Sequence, residues 1–506
     1  MSPVNSYYER MLKKNISILF LIASVVFSGC KQNEPIGLFT EAPCPLDIPQ
    51  ELKESEKFSF GYMKVPEIFN EPNGRVIELA VAIFKCRSVS PTHEPLVLVG
   101  GGPGTSNLDD FVPSMAGGLG DLFLNQRDIV IVESRGLKYS RPYLGLPEID
   151  SLQLSLLDKN LTADQTVDLY LDSLRSAYTR FTNAGVNLSA FNSLEISNEI
   201  AYVMTQLGYD KFSLFGTSYG TMVAQYLLLN HTGRLKSVVM NATIDLQNGT
   251  YDMLTNTINH FEMIFQKCES VPHLAAAYPD LKNRFLMMLK SLNENPVTLT
   301  IKYGTNDKDY KVILNGNRIS AWLFGQMYGN TQLPLTLHRL IEGDFSAIEA
   351  NPGLIFPLHE FSLGLSLSTF MSATPDLRAE NIPIEGEYSD LVKGIGTLLF
   401  TPYFWQSAED VWEVENKKYH GKSLVTEVPL LMLSGEMDHL CLASYAEEFA
   451  DRQKNTQLYI FKGVAHSPVD QGPCAIMMLK EFFDDPSKPL NSSCVKEFKH
   501  EFDLPN

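Results

Sequence analysis

The sequence predicts an α/β fold built on a mostly parallel sheet and interrupted by one mainly helical insertion. Two observations carry this. Short apolar runs without polar alternation, at 96–99, 128–132, 212–215, 237–240, 430–433 and 458–461, read as strands buried on both faces, and helical stretches follow several of them. Between 246 and about 400 that rhythm stops and the pattern turns mostly helical.

The elements follow in order. Residues 57–63 and 77–86 are strand-like, and Asn73-Gly74 between them is a hairpin turn signal. The run 96–99 stops at Gly100-Gly101-Gly102-Pro103-Gly104, and the run 128–132 stops at Glu133-Ser134-Arg135-Gly136. Residues 192–207 read as a helix: Asn192 caps it, Glu195 completes a capping-box-like start, and Gly208 ends it. Strand 212–215 runs into Gly216-Thr217-Ser218-Tyr219-Gly220 and then directly into a helix at 221–229. This strand-helix-strand succession implies a parallel sheet. One hairpin, 297–302 with 311–314, interrupts the helical insertion. The α/β rhythm resumes at 430, and a helix at about 475–483 closes it.

The N-terminus reads as an export signal. Lys13 and Lys14 precede a short apolar run at 16–27, and Ser28-Gly29-Cys30 follows. Small residues before a cysteine resemble a bacterial lipobox, which makes Cys30 the expected lipidation site and Met11 the expected start of translation. The product would be an exported lipoprotein at the periplasmic face or cell surface, touching a membrane only through Cys30. The resulting division is signal 1–30, tether 31–43, first part of the core 44–245, insertion 246–400 and second part of the core 401–506.

Composition bounds the function. The 506 residues are 44% apolar and 20% charged, ordinary for a globular protein, and the net charge of -18 disfavours nucleic acid as a partner. Besides Cys30 there are six cysteines: Cys44, Cys86, Cys268, Cys441, Cys474 and Cys494. An even count in an exported chain is consistent with disulfides, and six cysteines allow about 15 pairings. No CxxC pair or local His/Cys cluster has metal spacing, so no metal and no organic cofactor is implied.

Chemistry centres on GTSYG at 216–220. A G-x-S-x-G pattern between a strand and a helix makes a sharp turn that exposes the serine hydroxyl at the strand end. A chain with 33 glycines holds about 0.15 such patterns by chance, so the strand-and-helix context carries the weight. The nucleophile needs a base, and the base an orienting acid. Asp438 follows strand 430–433 and His466 follows strand 458–461, both on the sheet edge that holds Ser218. Glu436 is the rival acid and His439 the rival base. The backbone N–H of Tyr219 and one from Gly101 or Gly102 are the expected oxyanion donors.

These segments resemble the proline iminopeptidase and tripeptidyl aminopeptidase group of α/β-hydrolases. GGGPG stands where the group has HGGPG. DIVIVESRGLKYS resembles its D-x-V-x-x-D-x-R-G-x-G-x-S segment, and LFGTSYGTMVAQYLLLN is similar to its elbow and helix. SGEMD and GVAHS fall where the group has its acid and histidine. Gly100, Glu133 and Lys138 depart from the pattern, at positions of His, Asp and Gly. The resemblance implies an α/β-hydrolase fold with a helical lid over the site and a pairing of Cys474 with Cys494. It also implies a Ser218-His466-Asp438 acyl-enzyme mechanism that releases N-terminal residues, prolyl or tripeptidyl, from peptides with a free N-terminus. The free α-ammonium would need carboxylates, and the insertion offers Glu342, Asp344, Glu349, Glu360, Glu385 and Glu387, most of them solvated surface charges. The rival readings are an esterase on the same scaffold and a non-catalytic binding lipoprotein.

Overall fold

The computed structural model describes residues 36–246, 252–304, 307–329, 331–373, 382–415, 424–497 and 501–505. The signal segment, Cys30 and the start of the tether lie outside them.

Nine strands form one sheet: β1 (Phe39–Glu41), β2 (Phe58–Pro66), β3 (Val76–Phe84), β4 (Leu96–Val99), β5 (Ile129–Val132), β6 (Phe212–Thr217), β7 (Leu235–Asn241), β10 (Leu430–Gly435) and β11 (Thr456–Phe461). The pair β8 (Val297–Tyr303) and β9 (Lys308–Leu314) forms a separate antiparallel hairpin. The order in the large sheet is β1-β2-β3-β5-β4-β6-β7-β10-β11. Pairing is antiparallel from β1 to β5 and parallel from β5 to β11. Parallel strands place all their carboxyl ends at one edge, so the loops after β4, β6, β7, β10 and β11 meet there.

The continuous apolar runs are buried on both faces, as their composition requires. Val97, Val99, Val130, Val132 and Met432 pack into one core cluster, and Leu96, Leu98, Ile129, Ile131 and Leu433 into the other. Helix α1 (Ser193–Gln206) starts where its cap says: the Asn192 side chain accepts the Glu195 N–H at 3.0 Å. Sequence reading passes over a longer helix, Ala163–Asn183, which opens with a Thr162/Gln165 capping box. It buries Val167, Tyr170, Leu174, Ala177 and Phe181, a spacing of three and four residues.

Between β7 and β10 the chain is mainly helical, apart from β8 and β9. Its helices include Met253–Ser270, Leu281–Glu294, Gly316–Gln326, Leu363–Ala373, Ser389–Gly396 and Pro402–Ala408. Lys138 ties this region to the sheet, pairing with Asp109 at 2.9 Å and with Glu360 at 2.8 Å. Of the six cysteines outside the signal, Cys474 and Cys494 form a disulfide, while Cys44, Cys86, Cys268 and Cys441 are free thiols. Among the described residues no helix is long and apolar enough to cross a membrane.

Candidate active site

Ser218 sits between β6 and the helix Tyr219–Asn230 with φ 53° and ψ -118°, a conformation that L-residues rarely adopt. The surroundings enforce it. A Cβ on Gly216 would come within 2.5 Å of the Gly220 carbonyl oxygen, and one on Gly220 within 2.4 Å of the Val99 oxygen, so neither position admits a side chain. The Ser218 N–H donates to the Asn241 carbonyl at 2.8 Å, pinning the turn to β7.

Asp438 is buried in the loop after β10 and 2% exposed. One carboxylate oxygen accepts the N–H groups of Leu440 and Cys441, both at 2.9 Å. The other lies 2.8 Å from His466 Nδ1. Burial works against charge on the imidazole, but the charge and hydrogen bond of Asp438, with the charge of Asp470, outweigh it and raise the His466 pKa. Burial also opposes the Asp438 anion, and His466 with the backbone donors overcomes it and lowers the acid's pKa. His466 and Ser218 line the same cavity, of about 360 Å³.

Both rivals fall away. The Glu436 side chain is exposed and its carboxylate accepts the Gly463 N–H at 2.9 Å, whereas His466 Nδ1 is taken by Asp438. His439 is buried with neither ring nitrogen hydrogen-bonded among the described residues, and burial, then the nearby His260, lowers its pKa far below the ordinary range.

Of the expected oxyanion donors, Tyr219 heads the helix, where a first-turn N–H has no intrahelical acceptor. Gly101 adjoins the nucleophile: a Cβ there would lie 3.4 Å from Ser218 Cβ and 3.7 Å from its Oγ. Gly102 lines the same cavity. Two side chains anchor the loop, Asn107 and Glu133. The Asn107 amide oxygen accepts the Gly100 N–H at 2.8 Å, and its nitrogen donates to the Val132 carbonyl at 2.9 Å. Glu133 accepts the Leu108 N–H at 3.1 Å, and burial pushes its pKa up to about 8.

The fold also makes a cluster that local spacing does not reveal. Ligand atoms of Asp438, Cys441 and His466 lie within 4.8 Å of one another. Asp438 and His466 are already hydrogen-bonded to each other, so this is the acid–base pair with a thiol beside it. Burial raises the Cys441 pKa well above the ordinary thiol value, while a hydrogen bond with Ser218 pulls the other way.

A family model described as the alpha/beta hydrolase fold matches residues 94–276. The chain has the α/β-hydrolase fold. No curated protein matches it. Similar solved structures include an esterase from Exiguobacterium antarcticum, 12% identical with a TM-score of 0.37, covering 81% of this chain and 96% of that one. An esterase from Rhodococcus sp. ECU1013 is 13% identical with a TM-score of 0.36, covering 81% and 95%. A proline iminopeptidase of Mycobacterium smegmatis is 13% identical with a TM-score of 0.37, covering 84% and 98%.

In this α/β-hydrolase fold the cavity walls have two sources. Gly101, Gly102, Thr105, Asp110, Ser467 and Asp470 come from the loops after β4 and β11. Phe324, Tyr328, Phe361, Phe370 and Phe400 come from the region between β7 and β10. The Tyr328 ring stands edge-on to the His466 ring, 5.2 Å between centroids. None of the six carboxylates of the insertion named above lines this cavity. Glu342 is paired with Arg284 and Glu387 with Lys282.

Proposed function

We propose that the protein is a serine hydrolase and, within that class, an exopeptidase releasing N-terminal residues from oligopeptides. The observation that carries the first part is the buried 2.8 Å Asp438–His466 pair sharing a cavity with the strained Ser218 turn. With Nδ1 held by Asp438, His466 Nε2 is the atom left to take the Ser218 proton. The Ser218 oxygen attacks the scissile carbonyl, and the N–H groups of Tyr219 and of Gly101 or Gly102 receive the negative charge. The protonated imidazole then hands its proton to the leaving nitrogen, and water enters by the same route in reverse to free the acyl group.

Two features support the exopeptidase reading. The segments holding Ser218, Asp438 and His466 resemble the aminopeptidase pattern, and the GGGPG and ESRG segments do so with departures at Gly100 and Glu133. The cavity, roofed by side chains of the insertion, has the size of a small-ligand pocket rather than of a groove for a continuous chain. Cys30 as a lipid anchor would hold the enzyme at a membrane surface outside the cytoplasm.

The test uses protein lacking residues 1–30, with Ser218→Ala as control, on fluorogenic amides bearing one to three residues with free or acetylated N-termini, beside short-chain esters. Free-amine amides should be cleaved, acetylation should abolish cleavage, and Ser218→Ala should lower kcat by about 10⁶-fold. Turnover of esters alone would make the protein an esterase; no turnover and no fluorophosphonate labelling of Ser218 would remove the hydrolase reading altogether.

A further inference from the structure

Two carboxylates that form no salt bridge among the described residues line the cavity, although the charge of one, Asp470, acts on His466. Asp110 and Asp470 both line it, one from the short helix Asn107–Phe111 and one from the turn Pro468–Gln471 that follows His466. Among the described residues no cationic side chain pairs with either, and neither accepts a side-chain hydrogen bond. The neighbouring Asp109 is the contrast: it takes Lys138 at 2.9 Å and the Tyr139 hydroxyl at 2.7 Å. Adjacent residues on one helix thus divide into a neutralised carboxylate facing Lys138 and an unneutralised one facing the cavity.

Room for that carboxylate depends on Gly100. A Cβ at position 100 would stand 3.1 Å from Asp110 Oδ2, a tight contact, so a larger side chain there would press on the acid. Asp110, like Asp470, is an exposed residue on the cavity wall; desolvation by that wall, then the charges of Asp109 and Asp470, push its pKa up to about 6. An anion raised in this way gains from a cation brought beside it. A separate feature of the same cavity also asks for a ligand. Ser366, 1% exposed, lines the cavity, and its hydroxyl has no hydrogen-bond partner among the described residues. An unmet buried hydroxyl is costly, and a polar group of a bound substrate would meet it.

We propose that Asp110 and Asp470 form the subsite for a cationic group of the substrate, with Ser366 hydrogen-bonding a polar group of the same molecule and the phenylalanines of the insertion enclosing its apolar part. The substrate class is an amide or ester carrying an ammonium or guanidinium near the scissile carbonyl. The selecting carboxylates come from the two loops that carry the oxyanion donors and the base. The cation has two possible sources, a free peptide α-ammonium or a basic side chain. The proposal rests on the serine hydrolase reading above.

The experiment compares kcat/KM of the wild type, Asp110→Asn, Asp470→Asn and the double variant on matched coumarin amides. The arms are a free-amine alanyl amide, its N-acetyl form, an N-acetyl-lysyl amide and neutral 4-nitrophenyl acetate. The wild type should prefer at least one cationic arm over its neutral counterpart. The double variant should shrink that preference by about 10- to 100-fold, mainly through KM. Preference for the free amine assigns the subsite to the α-ammonium, and preference for the lysyl arm to a side chain. An equal fall on cationic and neutral substrates, or no charge preference in the wild type, overturns the subsite. Fluorophosphonate labelling of Ser218 in every variant separates the outcomes: labelling without charge preference sinks only the subsite, and absent labelling in the wild type sinks the hydrolase reading.

Discussion

Asp438→Asn tests the acid–base pair most sharply because the surrounding donors dictate what the new amide must do. One oxygen of Asp438 accepts two backbone N–H groups, from Leu440 and Cys441, and the other faces His466 Nδ1. An asparagine has one accepting oxygen. If that oxygen stays with the two backbone donors, the NH₂ points at Nδ1 and forces the tautomer whose proton sits on Nε2, where the base must be bare. If the amide flips, the NH₂ confronts two N–H donors in a buried pocket. Either way the productive tautomer is disfavoured, and the expected fall in kcat is about 10⁴-fold, or about 5.4 kcal/mol. The pH profile moves as well. His466 must be neutral to act as base, and its raised pKa places the acid limb of kcat/KM above the ordinary 6.5. Removing the Asp438 charge removes the largest influence raising that pKa and leaves burial, which lowers it, so the limb should shift to lower pH. Stopped-assay kinetics from pH 4 to 9 on wild type and variant measure both effects. A variant within a hundredfold of wild type with an unmoved acid limb would refute Asp438 as the orienting acid.

Three further outcomes follow from contacts outside the triad. Asn241 Nδ2 donates to Thr217 Oγ1 at 2.8 Å and to Ser467 Oγ at 2.7 Å, joining the residue before the nucleophile to the residue after the base, so Asn241→Ala should lower kcat by about 10- to 100-fold with little change in KM. Steady-state kinetics at saturating substrate read that split, and a change in KM alone would count against a positioning role. The disulfide closes a 20-residue separation, so Cys474→Ser with Cys494→Ser should lower unfolding stability by about 3 kcal/mol, seen as an earlier denaturation midpoint with an active folded enzyme. Cys30→Ser in the full chain should abolish incorporation of labelled fatty acid and release the protein from membranes; unchanged fractionation would count against the anchor.

The strands were legible because a parallel sheet demands apolar residues on both faces, and few other environments do. Leu96–Val99 is found at the bounds read from its four apolar residues. The helix Ala163–Asn183 is less legible, although its capping box and buried face are present in the sequence, because it lies in the long connection between two strands. The cysteines mislead for a different reason. An even count is compatible with full pairing, but a buried thiol serves equally well as a small apolar filler, which is how Cys86 and Cys268 are placed.

The site divides along the same physical line. Ser218 is legible because its chemistry imposes a local rule: the turn is so tight that Gly216 and Gly220 are required, so sterics fix two residues in five and the nucleophile a third. Asp438 and His466 are legible because strand ends at one edge must converge. Asn241, Asp110 and Asp470 obey no such local rule. Each is significant through a partner or a void more than a hundred residues away in the chain, such as Ser467 beside Asn241, 226 residues distant. None of the six insertion carboxylates lines the cavity. Acid residues in the insertion are abundant, and abundance selects none of them. The packing turns Glu360 to Lys138, Glu342 to Arg284 and Glu387 to Lys282, and leaves the open carboxylates on the segments that follow β4 and β11. Substrate selection in this protein is therefore to be sought first where the reacting groups themselves are held.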